Sequence, residues 1–277
     1  MWVHLERSCV AADHLPNRIV AIAAGCRTGS SLLAAALTKT GALGTVKEVM
    51  SKDMFRRLLI LKRKGRPPLR QLLEARSRLH TVPPSSYTVD EILAVLDQIG
   101  RQQTGPQGVL CLKVMWGDYA RVLLARGLDL GHWGAPITWL RIRRLDHLRQ
   151  AVSWSRAIQS DQWTTASSAR SAPLFNPQLI NHYLNMAKAW DASWDDYFNE
   201  LGIQPCTIHY EDLSAAYEAT IRAVFDHLGL ADHAVPTAQL SRQADAINDD
   251  WLQRFQNWQA SLAQTPEASD DMTQPLR

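Results

Sequence analysis

The chain is poor in cysteine, with four in 277 residues and no CxxC pair. That spacing excludes a thiolate zinc knuckle and a thioredoxin-type redox centre. Cys9, Cys26, Cys111 and Cys206 are scattered. The last three fall in or beside apolar runs and read as reduced core thiols. No signal sequence is expected at the start of the chain. Its early apolar runs fall far short of the roughly 20 residues that span a bilayer. The expectation is a cytoplasmic protein. A surplus of one charge is missing too: 30 Lys and Arg face 27 Asp and Glu, for a net +3. So small an excess gives no reason to expect nucleic acid. The nine His and the carboxylates show no metal-ligand spacing, so no metal is expected. His147 and His182 read as structural.

What is present is an ordinary globular composition, 46% apolar and 21% charged, and an alternation of strands and helices. Buried strands are read at Arg18–Ala24, 109–114, 137–142 and 207–210. Helices are read at 30–40, 119–126, 146–158 and from Pro177 to about Leu201. A further helix, capped by Asp212 or Ser214, ends near Gly229. Thr88 and Glu91 form a capping box for a helix to about Gln103. The last helix, 248–263, carries Trp251, Phe255 and Trp258 on one face. Ten Trp are many for this length. Their ring faces suit sugars and adenine, but Trp190 and Trp194 sit at core spacing on a helix. Alternating strands and helices predict an α/β fold: an open, mostly parallel, P-loop-like sheet flanked by helices.

Between Arg56 and Arg78 there are nine basic residues and one acid. Basic helices at 51–64 and 69–79 read as part of an insertion or lid over 51–86. Such a stretch faces solvent, an anionic acceptor or a membrane surface. In this type of sheet, ligands bind beyond the carboxyl ends of the strands. "AAGCRTGSSLL", residues 23–33, lies at such an end. It reads as a strand, a tight turn and a helix start, a combination that holds phosphate or sulfate. The nucleotide-triphosphate pattern GxxxxGK[ST] is absent, because Ser follows Gly29 where Lys would stand.

"CRTGSSLL" closely resembles the phosphosulfate loop of the Stf0-type bacterial sulfotransferase family, typified by trehalose 2-sulfotransferases. "GALGTVKEVM", "VLCLKVMW", "RRLDHLRQAVSWSRAIQSDQW", "WDDYFNELGIQPCTIHYEDL" and "RQADAINDDWLQRF" resemble its later motifs, in the family's order, from about residue 18 to 258. The resemblance implies a single sulfotransferase domain over 1–277. Its donor would be 3′-phosphoadenosine 5′-phosphosulfate (PAPS), and its acceptor a hydroxyl of a sugar, glycolipid or polysaccharide. Arg27, Thr28, Gly29, Ser30, Ser31 and Leu32 would line the phosphosulfate, with Ser31 where the family has Thr. Glu48 would be the general base. Lys113 would touch the sulfuryl group or the acceptor.

Ser153 and one of Arg143 and Arg144 would hold the 3′-phosphate. The family's Arg lies eight residues before that Ser, where this chain has Leu145, so either neighbour is a candidate. Tyr210 ends a strand on the ligand side, and Arg242 would close over the nucleotide. A homodimer is also implied. The basic 51–79 stretch would give peripheral contact with the inner face of the membrane. Two other readings stay open: a P-loop-like small-molecule kinase, and a non-catalytic module that binds PAP or lipid.

Overall fold

The computed structural model describes residues 15–48, 88–163, 168–238 and 246–264. The chain divides into two compact units, one drawn from 1–145 and 187–241, the other from 146–186 and 242–277. The 51–86 insertion with its two expected helices, Cys9 and Arg242 lie outside the described residues.

Four strands form one sheet: β1 (Arg18–Ala24), β2 (Val109–Met115), β3 (Ile137–Arg143) and β4 (Cys206–His209). Their spatial order is β2-β1-β3-β4, and every pairing is parallel. The helices are α1 (Ser30–Lys39), α2 (Val89–Gln103), α3 (Trp116–Val122), α4 (His147–Ser160), α5 (Pro177–Glu200), α6 (Tyr210–Ala215), α7 (Tyr217–Leu228) and α8 (Ala246–Gln264). The open parallel α/β class expected from the sequence is the one adopted. Among the described residues, no helix is long and apolar enough to cross a membrane.

β1 is central because its side chains are apolar on both faces. Ile19, Ala21 and Ala23 point into one core, and Val20, Ile22 and Ala24 into the other. That is the two-residue period of a strand covered on both sides. The first core is closed by α2, α3 and the end of α5 through Val95, Leu96, Tyr119, Trp194 and Phe198. The second is closed by α1, α6 and α7 through Leu33, Leu37, Leu213, Ile221 and Phe225. The chain leaves β1 for β2 on one side and later returns to β3 on the other. The order therefore reverses at the carboxyl end of β1, the switch point where such sheets bind ligands.

The Thr88 capping box forms as expected. Thr88 accepts from the Glu91 N–H at 3.2 Å, and Glu91 accepts from the Thr88 N–H at 3.1 Å. Two expectations are corrected. The helix read at 119–126 begins at Trp116, straight from β2, and Leu124–Arg126 is a separate 3₁₀ turn. The helix after β4 is two helices. Tyr210 opens α6 rather than ending a strand, because the β3 ladder stops at Arg143 opposite His209. Ala216 (φ −134°, ψ 56°) then breaks the helix, and neither Asp212 nor Ser214 caps it.

In the second unit, α4, the start of α5 and α8 share a core of Ala151, Val152, Ile180, Leu184, Trp251, Leu252 and Phe255. Arg149 pairs with Asp249 at 2.8 Å, and Arg156 donates to Asn248 at 2.6 Å.

Trp194 ties α5 to the sheet. Its buried indole N–H donates to the Ala24 carbonyl at 3.2 Å, where β1 ends. Its ring stacks on Tyr119 and Phe198 and meets Trp116 and Trp139 edge-on. Trp194→Phe should cost about 1–3 kcal/mol, because it removes the buried hydrogen bond to the Ala24 carbonyl and part of the ring's packing. Urea unfolding measures this, and a change below about 0.5 kcal/mol would contradict the role given to the hydrogen bond.

Candidate functional site

The loop after β1 is shaped by two left-handed residues. Gly29 (φ +84°) caps α1, and Arg27 sits at φ +63°. A non-glycine residue in that region costs on the order of 1–2 kcal/mol, so the rest of the loop must hold Arg27 there. Thr28, only 3% exposed, donates its hydroxyl to the Gly25 carbonyl at 2.9 Å. No side chain caps α1. Its first-turn N–H groups face the ligand edge with the positive end of the helix dipole. Ser30 is buried and Ser31 exposed. Leu32 packs against the second core, so only its backbone belongs to the loop.

Glu48 reaches this loop through an added strand contact. Lys47 bridges Leu112 on the outer edge of β2, and the Lys113 N–H donates to the Lys47 carbonyl at 3.0 Å. The next residue is Glu48. Its Oε2 lies 2.6 Å from the Lys113 Nζ, with the two side chains 32% and 15% exposed. The same Nζ lies 3.4 Å from the Ser31 Oγ. Three predicted residues, Glu48, Lys113 and Ser31, thus form one polar line across the loop. Cys26 lies among them. Burial pushes its thiol up to about 12, with Glu48 and Asp118 raising it further and Lys113 and Arg27 opposing. It is a weak nucleophile at neutral pH.

The pleat of β3 separates the two candidate arginines. Trp139, Arg141 and Arg143 share one face. Arg141, 2% exposed, donates to Asp191 at 2.7 Å and lies 3.2 Å from Asp195. Burial pushes its guanidinium below the ordinary value, and Asp191 and Asp195 pull it back. Arg143 also pairs with Asp191, and with Asp195 at 3.5 Å. Both carboxylates stand one turn apart on α5. Arg144 leaves on the other side. Its guanidinium lies 4.4 Å from the centre of the Tyr210 ring, and it donates to the Arg27 carbonyl at 3.4 Å. The Tyr210 ring in turn covers Gly29, where an added Cβ would come within 2.6 Å of its Cδ2. Leu145, in the family's Arg position, is 58% exposed, and its N–H donates to Glu211 at 3.2 Å.

The structure thus brings Arg27, Ser31, Glu48, Lys113, Arg144 and Tyr210 to one edge of the sheet. Ser153 stands on α4 in the second unit. Among the described residues, no group of three or more His, Cys, Asp or Glu is placed to hold a metal. Sequence reasoning missed Arg141, Asp191, Asp195 and Asp118. The available signal was Arg141 and Arg143 two apart in a buried strand, which demands carboxylates on whatever packs there.

An open parallel sheet with an uncapped helix start at its switch point is the class this geometry defines. The model of the Stf0 sulphotransferase family matches residues 20–258, and the chain belongs to that family. Trehalose 2-sulfotransferase of Mycolicibacterium smegmatis is 28% identical over 167 residues, 54% of this chain and 61% of that one. The enzyme of the same name from Mycobacterium tuberculosis is 27% identical over 165 residues, with the same two shares. The matched stretch thus spans about three-fifths of these curated relatives. The sulfotransferase domain of the Synechococcus PCC 7002 olefin synthase matches over 90% of this chain and 98% of its own. Its TM-score is 0.40 at 14% identity.

Gly29→Ala places a Cβ against Tyr210 at a left-handed φ. It should cost at least about 1 kcal/mol of stability. Urea unfolding checks this, and unchanged stability would show that the loop tolerates the side chain.

Proposed function

We propose that the chain transfers a sulfuryl group from PAPS to a hydroxyl of a carbohydrate acceptor, with Glu48 as general base. The observation that carries this reading is the 2.6 Å Glu48–Lys113 pair beside Ser31 of the uncapped loop. A base, a cation and a set of N–H donors meet where a transferring group would lie. The residues suit the donor. The loop offers backbone N–H groups, Arg27 and Lys113 add positive charge, and Gly29 leaves room only for backbone beneath Tyr210. Family membership supports sulfuryl transfer. The disaccharide in the names of the two mycobacterial relatives supports a sugar acceptor.

PAPS supplies an activated sulfuryl group on a 5′-phosphate that gains charge as it leaves. Arg27 and the N–H groups of Gly29, Ser30 and Ser31 stabilise that charge, already oriented before the reaction. Lys113 lies between Ser31 and Glu48 and neutralises charge on the equatorial oxygens. Glu48 accepts the proton of the attacking hydroxyl as the new O–S bond forms and the S–O bond to the phosphate breaks, in line. Arg144, kept apart from the α5 carboxylates that engage Arg143, is assigned to the 3′-phosphate. Thr28 and Tyr210 shape the loop. The role of Ser153 rests on the resemblance alone.

Transfer of labelled sulfate from PAPS to a panel of sugars tests the reading directly. Glu48→Gln should lower kcat about 100-fold or more with PAP affinity unchanged. A near-normal kcat would remove the base assignment. Arg144→Ala should weaken PAP about tenfold or more, and adenosine 5′-phosphosulfate far less. Equal losses for the two ligands would refute a 3′-phosphate role.

A further inference from the structure

β3 ends at Arg143, and Arg144 and Leu145 are the next two residues. The Leu145 side chain is 58% exposed, so apolar packing does little to fix this corner. Its backbone is fixed instead. The Leu145 N–H lies past the end of the β3 ladder and donates to the Glu211 carboxylate at 3.2 Å. Glu211 follows Tyr210 in α6, and the Tyr210 ring carries the Arg144 guanidinium. Two successive residues of α6 thus hold two successive residues of the corner. The α6 side is firm, since the helix continues β4 directly and Leu213 is fully buried in the second core.

Glu211 has a plainer reading as an acid in the first turn of α6. The helix dipole favours an acid there. That accounts for the charge but not for the bond to Leu145. Charge also argues against a carboxylate at this edge. Arg144 and the loop are assigned to an anionic ligand, and a nearby negative group weakens anion binding. What Glu211 offers against that cost is an ionised acceptor for a backbone donor, which makes a stronger bond than a neutral one.

We infer that Glu211 is a positioning residue for the donor nucleotide. Through the Leu145 N–H it fixes the corner from which Arg144 reaches the 3′-phosphate. This rests on the assignment of Arg144 and deepens it.

The test is calorimetric titration of the full chain with two ligands. One is 3′-phosphoadenosine 5′-phosphate (PAP); the other is adenosine 5′-phosphosulfate, which lacks the 3′-phosphate. Glu211→Ala should weaken PAP about threefold or more and leave adenosine 5′-phosphosulfate unchanged. Glu211→Gln removes the charge but keeps an acceptor oxygen, so it should retain wild-type PAP affinity. Glu211→Met keeps the length without the carboxylate and should behave as the alanine variant does. It carries the test if Glu211→Ala does not fold. In an Arg144→Ala background, Glu211→Ala should have no further effect on PAP, because both act through one contact. A PAP loss below about threefold overturns the inference. So does an equal loss for both ligands, a Glu211→Gln variant as weak as alanine, or a full further loss without Arg144. Arg144→Ala that weakens both ligands equally overturns the 3′-phosphate reading and this inference with it. A selective Arg144→Ala beside an unaltered Glu211→Ala overturns the inference alone.

Discussion

The site depends on where β1 stops. This strand is paired along its length on both sides and covered on both faces, so its last residue has little freedom. Trp194 then donates its indole N–H to the carbonyl of Ala24, the last residue of the strand. A buried carbonyl without a partner costs on the order of 1–3 kcal/mol. The indole therefore both satisfies the strand end and fixes the point from which the loop departs. Left-handed geometry at Arg27 and Gly29 is sustained from that fixed point.

Parity along the strands distributes the chemistry. On β3, Arg141 and Arg143 belong to the face that α5 covers, and the two α5 carboxylates compensate their charge. Desolvating an arginine costs several kcal/mol unless it is paired, so this cluster is as much a condition of packing α5 as a gain from it. One residue further, the chain has left the ladder, and Arg144 goes to the loop. On β2, Lys113 falls on the face of α1, which carries its amine to Ser31 and Glu48. Cation placement at the site thus follows from counting by twos.

Much of this was legible in the sequence. The β1 run, the Gly29 turn and the Thr88 capping box are local signals, and each formed where its residues predicted. The pairing of Glu48 with Lys113 was named residue by residue but not as a contact. It depends on a single bridge between Lys47 and β2, and no sequence pattern announces one bridge. The choice between Arg143 and Arg144 was unreadable because it turns on which helix covers β3. Tyr210 was placed at a strand end, while its actual post at the start of α6 depends on how far the β4 ladder runs. Asp118 went unnoticed because an Asp three residues before an Arg reads as a routine helix pair.

The Tyr210 ring touches Gly29 on one side and carries the Arg144 guanidinium on the other. Its dimensions therefore fix at once the room left at Gly29 and the seat of a guanidinium that also reaches the loop at the Arg27 carbonyl. A side chain at position 29 fits only if position 210 shrinks, and a smaller residue at 210 takes away the ring on which Arg144 rests. A change at either position is thus felt at the other, however far apart they lie in the chain.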